Sequence, residues 1–261
     1  VEDAGESTKF KAGDQVFVTG WGVGEQVSGG YAGFAKVKPE WAELIPEGLS
    51  AMHCMALGTA GFTAMLATLS LEDHNVLPDS GPVLVTGASG GVGSIAISLL
   101  AKRQYNVVAS TGRIEEQGDY LKSLGASEII HREELSSPSG RPLDSERWAG
   151  AIDSVGGETL ASILRQTQYR GSVAACGLAG GASLPSTVLP FILRGVNLLG
   201  IDSVMCPSWL RKRAWSRMSE DIDLKTLEQL IQVIPLDAVP DAAQQILAGK
   251  IRGRFVVDMS L

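Results

Sequence analysis

The stretch Val83-Leu-Val-Thr-Gly87-Ala-Ser-Gly90-Gly91-Val-Gly93-Ser94 decides the fold. A short apolar run with strand character passes through a glycine-rich turn straight into a helical segment over 94–103. Gly87 permits the sharp turn, Gly90 and Gly91 let backbone N–H groups approach an anion with no side chain between, and Gly93 lets the helix pack closely on the sheet. The N-terminus of such a helix faces the anion with unpaired N–H groups and the positive end of its dipole. The spacing is G-x-x-G-x-x-G rather than G-x-G-x-x-G, and a ligand-free turn between strand and helix also fits it. The segments on either side favour the nucleotide reading.

Downstream, strand patterns at 107–109, 129–130, 151–152, 172–175 and 198–201 alternate with helical ones at 119–124 and 159–166. Strands separated by helices imply parallel pairing through right-handed crossovers, so the expected class is α/β with a doubly wound parallel Rossmann sheet. Upstream, 14–45 holds short apolar runs broken by glycines, with strands expected at 15–19 and 33–37 in a small antiparallel barrel or sandwich. Residues 49–71 read as helices interrupted at Gly58 and Gly61. The end of the chain reads as mostly helical over 210–231, a helix at 242–247 and a closing strand at 253–257, while 134–141 reads as an exposed loop.

The end of the second strand discriminates between cofactors. NAD sites place a carboxylate there, about 20 residues after the glycines, to hold the ribose 2′-hydroxyl. Here the segment is Ala109-Ser-Thr-Gly-Arg113, with no acid before Glu115. Hydroxyls and a guanidinium suit a 2′-phosphate that a carboxylate would repel, so NADPH is expected over NADH.

The 29 acidic residues exceed the 22 basic ones by 29 − 22 = 7, and the basic residues are scattered, which argues against a nucleic-acid face. The three cysteines, Cys54, Cys176 and Cys206, form neither a disulfide framework nor a C-x-x-C pair, which fits a reducing cytoplasm. No apolar stretch reaches the roughly 18 residues of a membrane span, so no membrane partner is expected. The first residue is Val1 rather than Met, on a polar, acidic opening without the order of a signal peptide.

Eight segments together carry a family resemblance: Thr19-Gly-Trp-Gly-Val-Gly-Glu25, Gly58-Thr-Ala-Gly-Phe-Thr-Ala64, Thr86 to Ser94, Tyr120-Leu-Lys-Ser-Leu-Gly-Ala126, Trp148-Ala-Gly-Ala-Ile-Asp153, Ala174-Ala-Cys-Gly-Leu-Ala-Gly-Gly181, Pro190-Phe-Ile-Leu-Arg194 and Gly200-Ile-Asp-Ser-Val-Met205. Across nearly its whole length the sequence resembles the zinc-independent, quinone-oxidoreductase branch of the medium-chain dehydrogenase/reductase family, most closely its acrylyl-CoA reductase group. The resemblance implies a Rossmann dinucleotide-binding domain over 49–234, a partial GroES-like β-barrel substrate domain from 1–48 with 235–261, and a homodimer. It assigns the pyrophosphate to Ser89, Gly90, Gly91 and Val92, and the 2′-phosphate to Thr111, Gly112 and Arg113 with Arg132 nearby. Leu178, Ile201, Ser203 and Arg254 line the rest of the cofactor cleft. The implied activity is NADPH-dependent hydride transfer to the C=C bond of acryloyl-CoA, or a similar enoyl thioester, giving propanoyl-CoA. Reduction of a quinone or enone, and NADPH binding without catalysis as in a sensor or crystallin-like protein, are the other readings.

The resemblance breaks at the start. The family's Asn-Tyr-Lys-Asp motif, whose tyrosine reaches cofactor and substrate, is absent; Tyr31, Tyr105, Tyr120 and Tyr169 stand in other contexts, and no catalytic residue is assigned. The expectation is a fragment lacking part of its substrate-side domain, or a natural variant without it. His53-Cys54 is the only adjacent pair of metal-ligand type, with His74 and His131 isolated, so no zinc site is expected. Arg211, Lys212 and Arg213 form either a cationic cluster for a CoA tail or a solvated helix face. Trp21 walls a substrate pocket or is an ordinary aromatic, Gly177 with Gly180-Gly181 admits a nicotinamide or makes a plain turn, and Cys176 is a small buried residue rather than a nucleophile.

Overall fold

The computed structural model describes residues 1–136, 141–248 and 251–261; the central part of the loop expected over 134–141 lies outside them. In chain order the elements are β1 Val16–Val18, β2 Ala42–Leu44, α1 Ala51–Asp73, β3 Val83–Val85, α2 Gly91–Lys102, β4 Val107–Thr111, α3 Ile114–Ser123 and β5 Glu128–His131. There follow β6 Trp148–Asp153, α4 Gly157–Gln166, β7 Thr167–Ala175, α5 Leu189–Arg194 and β8 Asn197–Gly200. The chain ends with α6 Ser208–Asp221, α7 Leu224–Leu230, β9 Ile231–Pro235, α8 Val239–Leu247 and β10 Arg254–Asp258. Two compact units result: Val1–Phe62 with Ser203–Glu220 and Leu224–Leu261, and Thr63–Asp202 with Asp221–Asp223.

The second unit holds the expected doubly wound sheet. Its six strands lie in the order β5-β4-β3-β6-β7-β8, every neighbouring pair parallel. Strand β3 is central, with Val83 opposite Val107 on one side and Gly150 on the other. A central parallel strand is covered on both faces, which is why Val83-Leu-Val85 is apolar without alternation and wholly buried. Leu84, Val108, Ala151 and Val173 form the core of the sheet with Leu160, Ile163 and Leu164 of α4. The chain order reverses between β3 and β6, and the carboxyl ends of strands at such a switch point form the ligand crevice of open α/β sheets.

The first unit contains the antiparallel pair β1–β2 and the parallel pair β9–β10, the GroES-like part of the chain. Its core is aromatic: the ring of Trp215 meets Phe17 edge-on at 4.4 Å and stacks on Phe62 at 5.9 Å. Arg211 lies in this core, only 1% exposed, its guanidinium 4.6 Å from the Phe62 ring centre and 5.0 Å from that of Trp21. Neither sequence reading of the Arg211–Arg213 run held for Arg211, because its guanidinium is turned inward: Nη1 donates to Thr19 C=O and Oγ1, and Nη2 to the Ser203 and Val204 carbonyls.

Three expectations change. Residues 33–37 form no strand; with three glycines between 29 and 33 and almost full exposure they have no sheet to join. Gly61 stays helical and only Gly58, at φ 49° and ψ −150°, breaks α1. As one element of 23 residues, α1 is long and apolar enough by length and composition to cross a membrane, contrary to the sequence expectation, but 78% of its apolar window is buried inside the protein. It is apolar all round because it is a core helix.

Candidate nucleotide-binding site

The glycine turn sits at the carboxyl end of β3 and feeds α2. Gly87, at φ +57°, adopts the left-handed backbone that its sharp turn requires, and its N–H···O neighbour Gly90 closes the turn by donating to the Gly87 carbonyl at 2.9 Å. The Gly90 N–H is therefore engaged inside the turn. The next three N–H groups lie open: Gly91, Val92 and Gly93 begin α2, whose first helical bond runs from Ser94 N–H to the Gly90 carbonyl, so they have no intrahelical acceptor and are available to an anion. A Cβ on Gly93 would lie 2.4 Å from the Gly87 carbonyl oxygen and 2.7 Å from Ala88 Cα. Gly93 thus lets the helix press on the turn itself rather than on the sheet.

At the end of β4, Thr111 is buried and its Oγ1 accepts the Arg113 N–H at 3.2 Å. Gly112 lies against the Arg132 side chain: a Cβ there would stand 2.6 Å from Arg132 Nε. The Arg113 guanidinium points back to the glycine turn, its Nη2 3.5 Å from Ser89 Oγ. Two guanidinium-bearing side chains thus flank Gly112, where an NAD site would hold an acid; the first acids beyond, Glu115 and Glu116, lie in α3. A glycine cradle with free helix donors beside two arginines fits a dinucleotide carrying a 2′-phosphate.

The remaining expected residues are spread. Leu178 follows β7 and is 66% exposed, and Ile201 follows β8, its N–H bound to the Ala175 carbonyl at 3.0 Å. Ser203 and Arg254 belong to the first unit. Ser203 is buried there; Arg254 donates through Nε to the Ala56 carbonyl at 2.7 Å, where Gly58 breaks α1, and burial lowers its pKa. Trp21 takes the left-handed φ of 59°, uncommon for a bulky residue, and donates its N–H to the Val204 carbonyl. Cys176 donates its thiol to the Asp153 carbonyl at 3.3 Å, and burial pushes its pKa up to about 12, which makes it inert as a nucleophile.

Sequence reasoning missed Asp153. It ends β6, is completely buried, and binds Thr86, Val155 and Gly156. An acid closing the apolar run Ala149-Gly-Ala-Ile152, at the sheet edge where ligands bind, was the available signal.

A parallel sheet in this order, with a glycine turn and helix N-terminus at its switch point, defines a dinucleotide-binding α/β protein. A profile of the zinc-binding dehydrogenase family matches residues 91–221. The acrylyl-CoA reductase of Ruegeria pomeroyi is 54% identical over 97% of this chain and 76% of its own length. The putative quinone oxidoreductase YhfP of Bacillus subtilis is 48% identical over 96% of this chain and 76% of its own; a crystal structure of B. subtilis yhfP has NAD bound and superposes with a TM-score of 0.94. The yhdH oxidoreductase of Salmonella enterica in complex with NADP is 50% identical, covers 98% of this chain and 78% of its own, and superposes with a TM-score of 0.95. The chain belongs to the zinc-binding dehydrogenases of the medium-chain dehydrogenase/reductase family.

The zinc of that family name does not fit the residues present. Among the described residues no three His, Cys, Asp or Glu side chains group to hold a metal. Cys54 and Cys176, pushed by burial to about 11 and about 12, resist forming the thiolates that zinc binds.

Proposed function

We propose that this chain uses NADPH to reduce the C=C bond of acryloyl-CoA, or a similar enoyl thioester, to the saturated thioester. The observation that carries the cofactor half is the pair Arg113 and Arg132 about Gly112, with no carboxylate at the end of β4. The substrate half is carried by the 54% identity to an acrylyl-CoA reductase. When bound, reduced nicotinamide supplies a hydride to the β-carbon; the α-carbon takes a proton, so the C=C bond gains two hydrogens and NADP⁺ leaves. Ser89, Gly90, Gly91 and Val92 surround the pyrophosphate at the α2 N-terminus, Gly91 and Val92 through their N–H groups and Gly90 by presenting no side chain. Thr111, Gly112, Arg113 and Arg132 take the 2′-phosphate, and Leu178, Ile201, Ser203 and Arg254 take the rest. Orientation of the two reactants supplies much of the rate in a metal-free transfer of this kind.

The identity to a putative quinone oxidoreductase supports quinone reduction as a second reading. NADPH oxidation followed with acryloyl-CoA and with a quinone separates the readings. Turnover of acryloyl-CoA is expected to lead; a lead by the quinone, or tight NADPH binding with no turnover of either, would overturn the proposal.

We also propose a homodimer in the cytoplasm. Strand β8 is one of the sheet's two edges, pairing among the described residues only with β7, and Leu198 on it and Val188, Ile192 and Leu193 beside it in sequence expose apolar side chains. Such an edge invites pairing with a second copy. Sedimentation should report a dimer that Ile192→Glu with Leu193→Glu converts to monomer. Cys54, Cys176 and Cys206, none of them in a disulfide, suit a reducing compartment.

A further inference from the structure

Asp153 has no place among the cofactor contacts above, yet it is 0% exposed where three strands end. Its Oδ1 accepts the Thr86 hydroxyl at 2.6 Å and Val155 N–H at 3.3 Å, and its Oδ2 accepts Gly156 N–H at 2.8 Å. Thr86 joins β3 to Gly87; its hydroxyl oxygen accepts Ser154 N–H at 3.1 Å, and Ser154 Oγ donates to the Thr86 carbonyl at 3.1 Å. On the other side the Asp153 carbonyl accepts Cys176 N–H at 2.9 Å, at the end of β7.

The turns that meet here have no slack. A Cβ on Gly87 would lie 2.4 Å from Ser154 Oγ, and one on Gly177 would lie 2.5 Å from the Ser154 carbonyl oxygen. Gly156 bridges to Gly181, in the loop that carries Leu178. A buried carboxylate is tolerated only when hydrogen bonds replace its water, and each of these bonds ends on a turn rather than on a packing element.

We propose that Asp153 is a positioning residue for the cofactor: through Thr86 it sets the pyrophosphate turn, and through Val155 and Gly156 it sets the loop after β7. One buried carboxylate then holds in a common register the two segments that grip the pyrophosphate and the nicotinamide side. This rests on the proposed NADPH site. Asp153→Asn keeps the shape but turns an amide N–H2 toward a backbone donor, opposing either Gly156 N–H or the donors at Oδ1. Thr86→Val removes the hydroxyl that links the carboxylate to the glycine turn.

Calorimetry on the whole chain with two probes tests this. NADPH needs both segments, whereas adenosine 2′-monophosphate reaches only the Arg113 and Arg132 end. Each variant should weaken NADPH by about tenfold or more and leave the nucleoside monophosphate within about twofold, and the double variant should lose less than the product of the two single losses. Unchanged NADPH affinity in a folded variant, or equal loss for both probes, would overturn the proposal, the second result meaning general loosening. Should Asp153→Asn fail to fold, Thr86→Val carries the same comparison. Wild-type protein that binds neither probe would defeat the NADPH reading itself, and this inference with it.

Discussion

Gly112→Ala should erode the proposed preference for NADPH over NADH without unfolding the protein. The new methyl would stand 2.6 Å from Arg132 Nε, 2.9 Å from its Cδ and 3.0 Å from its Cζ. All three atoms belong to one flexible, exposed side chain, and Gly112 is not among the glycines with positive φ, so the backbone accepts alanine without strain. Restoring ordinary contact pushes the guanidinium away by about 1 Å, which takes a charge-assisted hydrogen bond to a 2′-phosphate out of range. Losing one such bond costs about 1.5 to 3 kcal/mol, or about 10- to 100-fold in Kd. NADH has no 2′-phosphate and should bind nearly as before, and Tm should hardly move. Gly93→Ala is the matched control, because its methyl would meet the backbone of Gly87 and Ala88 at 2.4 to 2.9 Å. There the turn must shift, and both cofactors and Tm should fall together. Calorimetry with each cofactor, beside a thermal melt, reads all of this. Equal losses for NADPH and NADH in Gly112→Ala, or no loss of NADPH, would refute the placement of the 2′-phosphate between Gly112 and Arg132.

Other outcomes follow from the same geometry. Arg113→Ala should weaken NADPH by roughly 1 to 3 kcal/mol and spare NADH, and equal loss for both would contradict its role. Chelators should leave Tm and NADPH affinity unchanged; stoichiometric zinc in protein purified without a metal column would contradict this. Because burial lifts Cys176 from 9.0 to about 12, its thiolate at pH 8 is about 1,000-fold scarcer than that of an ordinary thiol. Its alkylation should therefore be slow and rise about tenfold per pH unit, and rapid stoichiometric labelling of folded protein at pH 8 would count against the burial described. Burial also raises the Asp153 carboxyl above 3.8, so its contribution to stability is complete below that value and is lost as pH climbs through the raised folded value. Acidification from neutrality should accordingly shift the stability difference between wild type and Asp153→Asn in favour of the wild type, as read by denaturant titration.

The division between what the sequence disclosed and what it hid follows the range of the interactions. The run Val83-Leu-Val85, the glycines after it and the acid-free segment Ala109 to Arg113 declare themselves because strand, turn and helix start are local, set by neighbours a few residues away. The same holds for the parallel alternation that produced the six-stranded sheet. Failures cluster where a partner lies far along the chain. Strand β9 went unread because its mate β10 lies some twenty residues on and its own pattern does not alternate. Arg211 looks like one cation in a basic run; only the fold brings Thr19, 192 positions away, to its guanidinium and buries it among Trp21 and Phe62. Asp153 and Thr86, 67 positions apart, are each unremarkable in sequence, and their bond exists only because β3 and β6 are neighbours at the switch point. The residues proposed to touch a cofactor can thus be read from a motif, while those proposed to hold the motif in place must be read from the sheet. That difference is why Asp153→Asn is the sharper test of the architecture, and Gly112→Ala the sharper test of the cofactor.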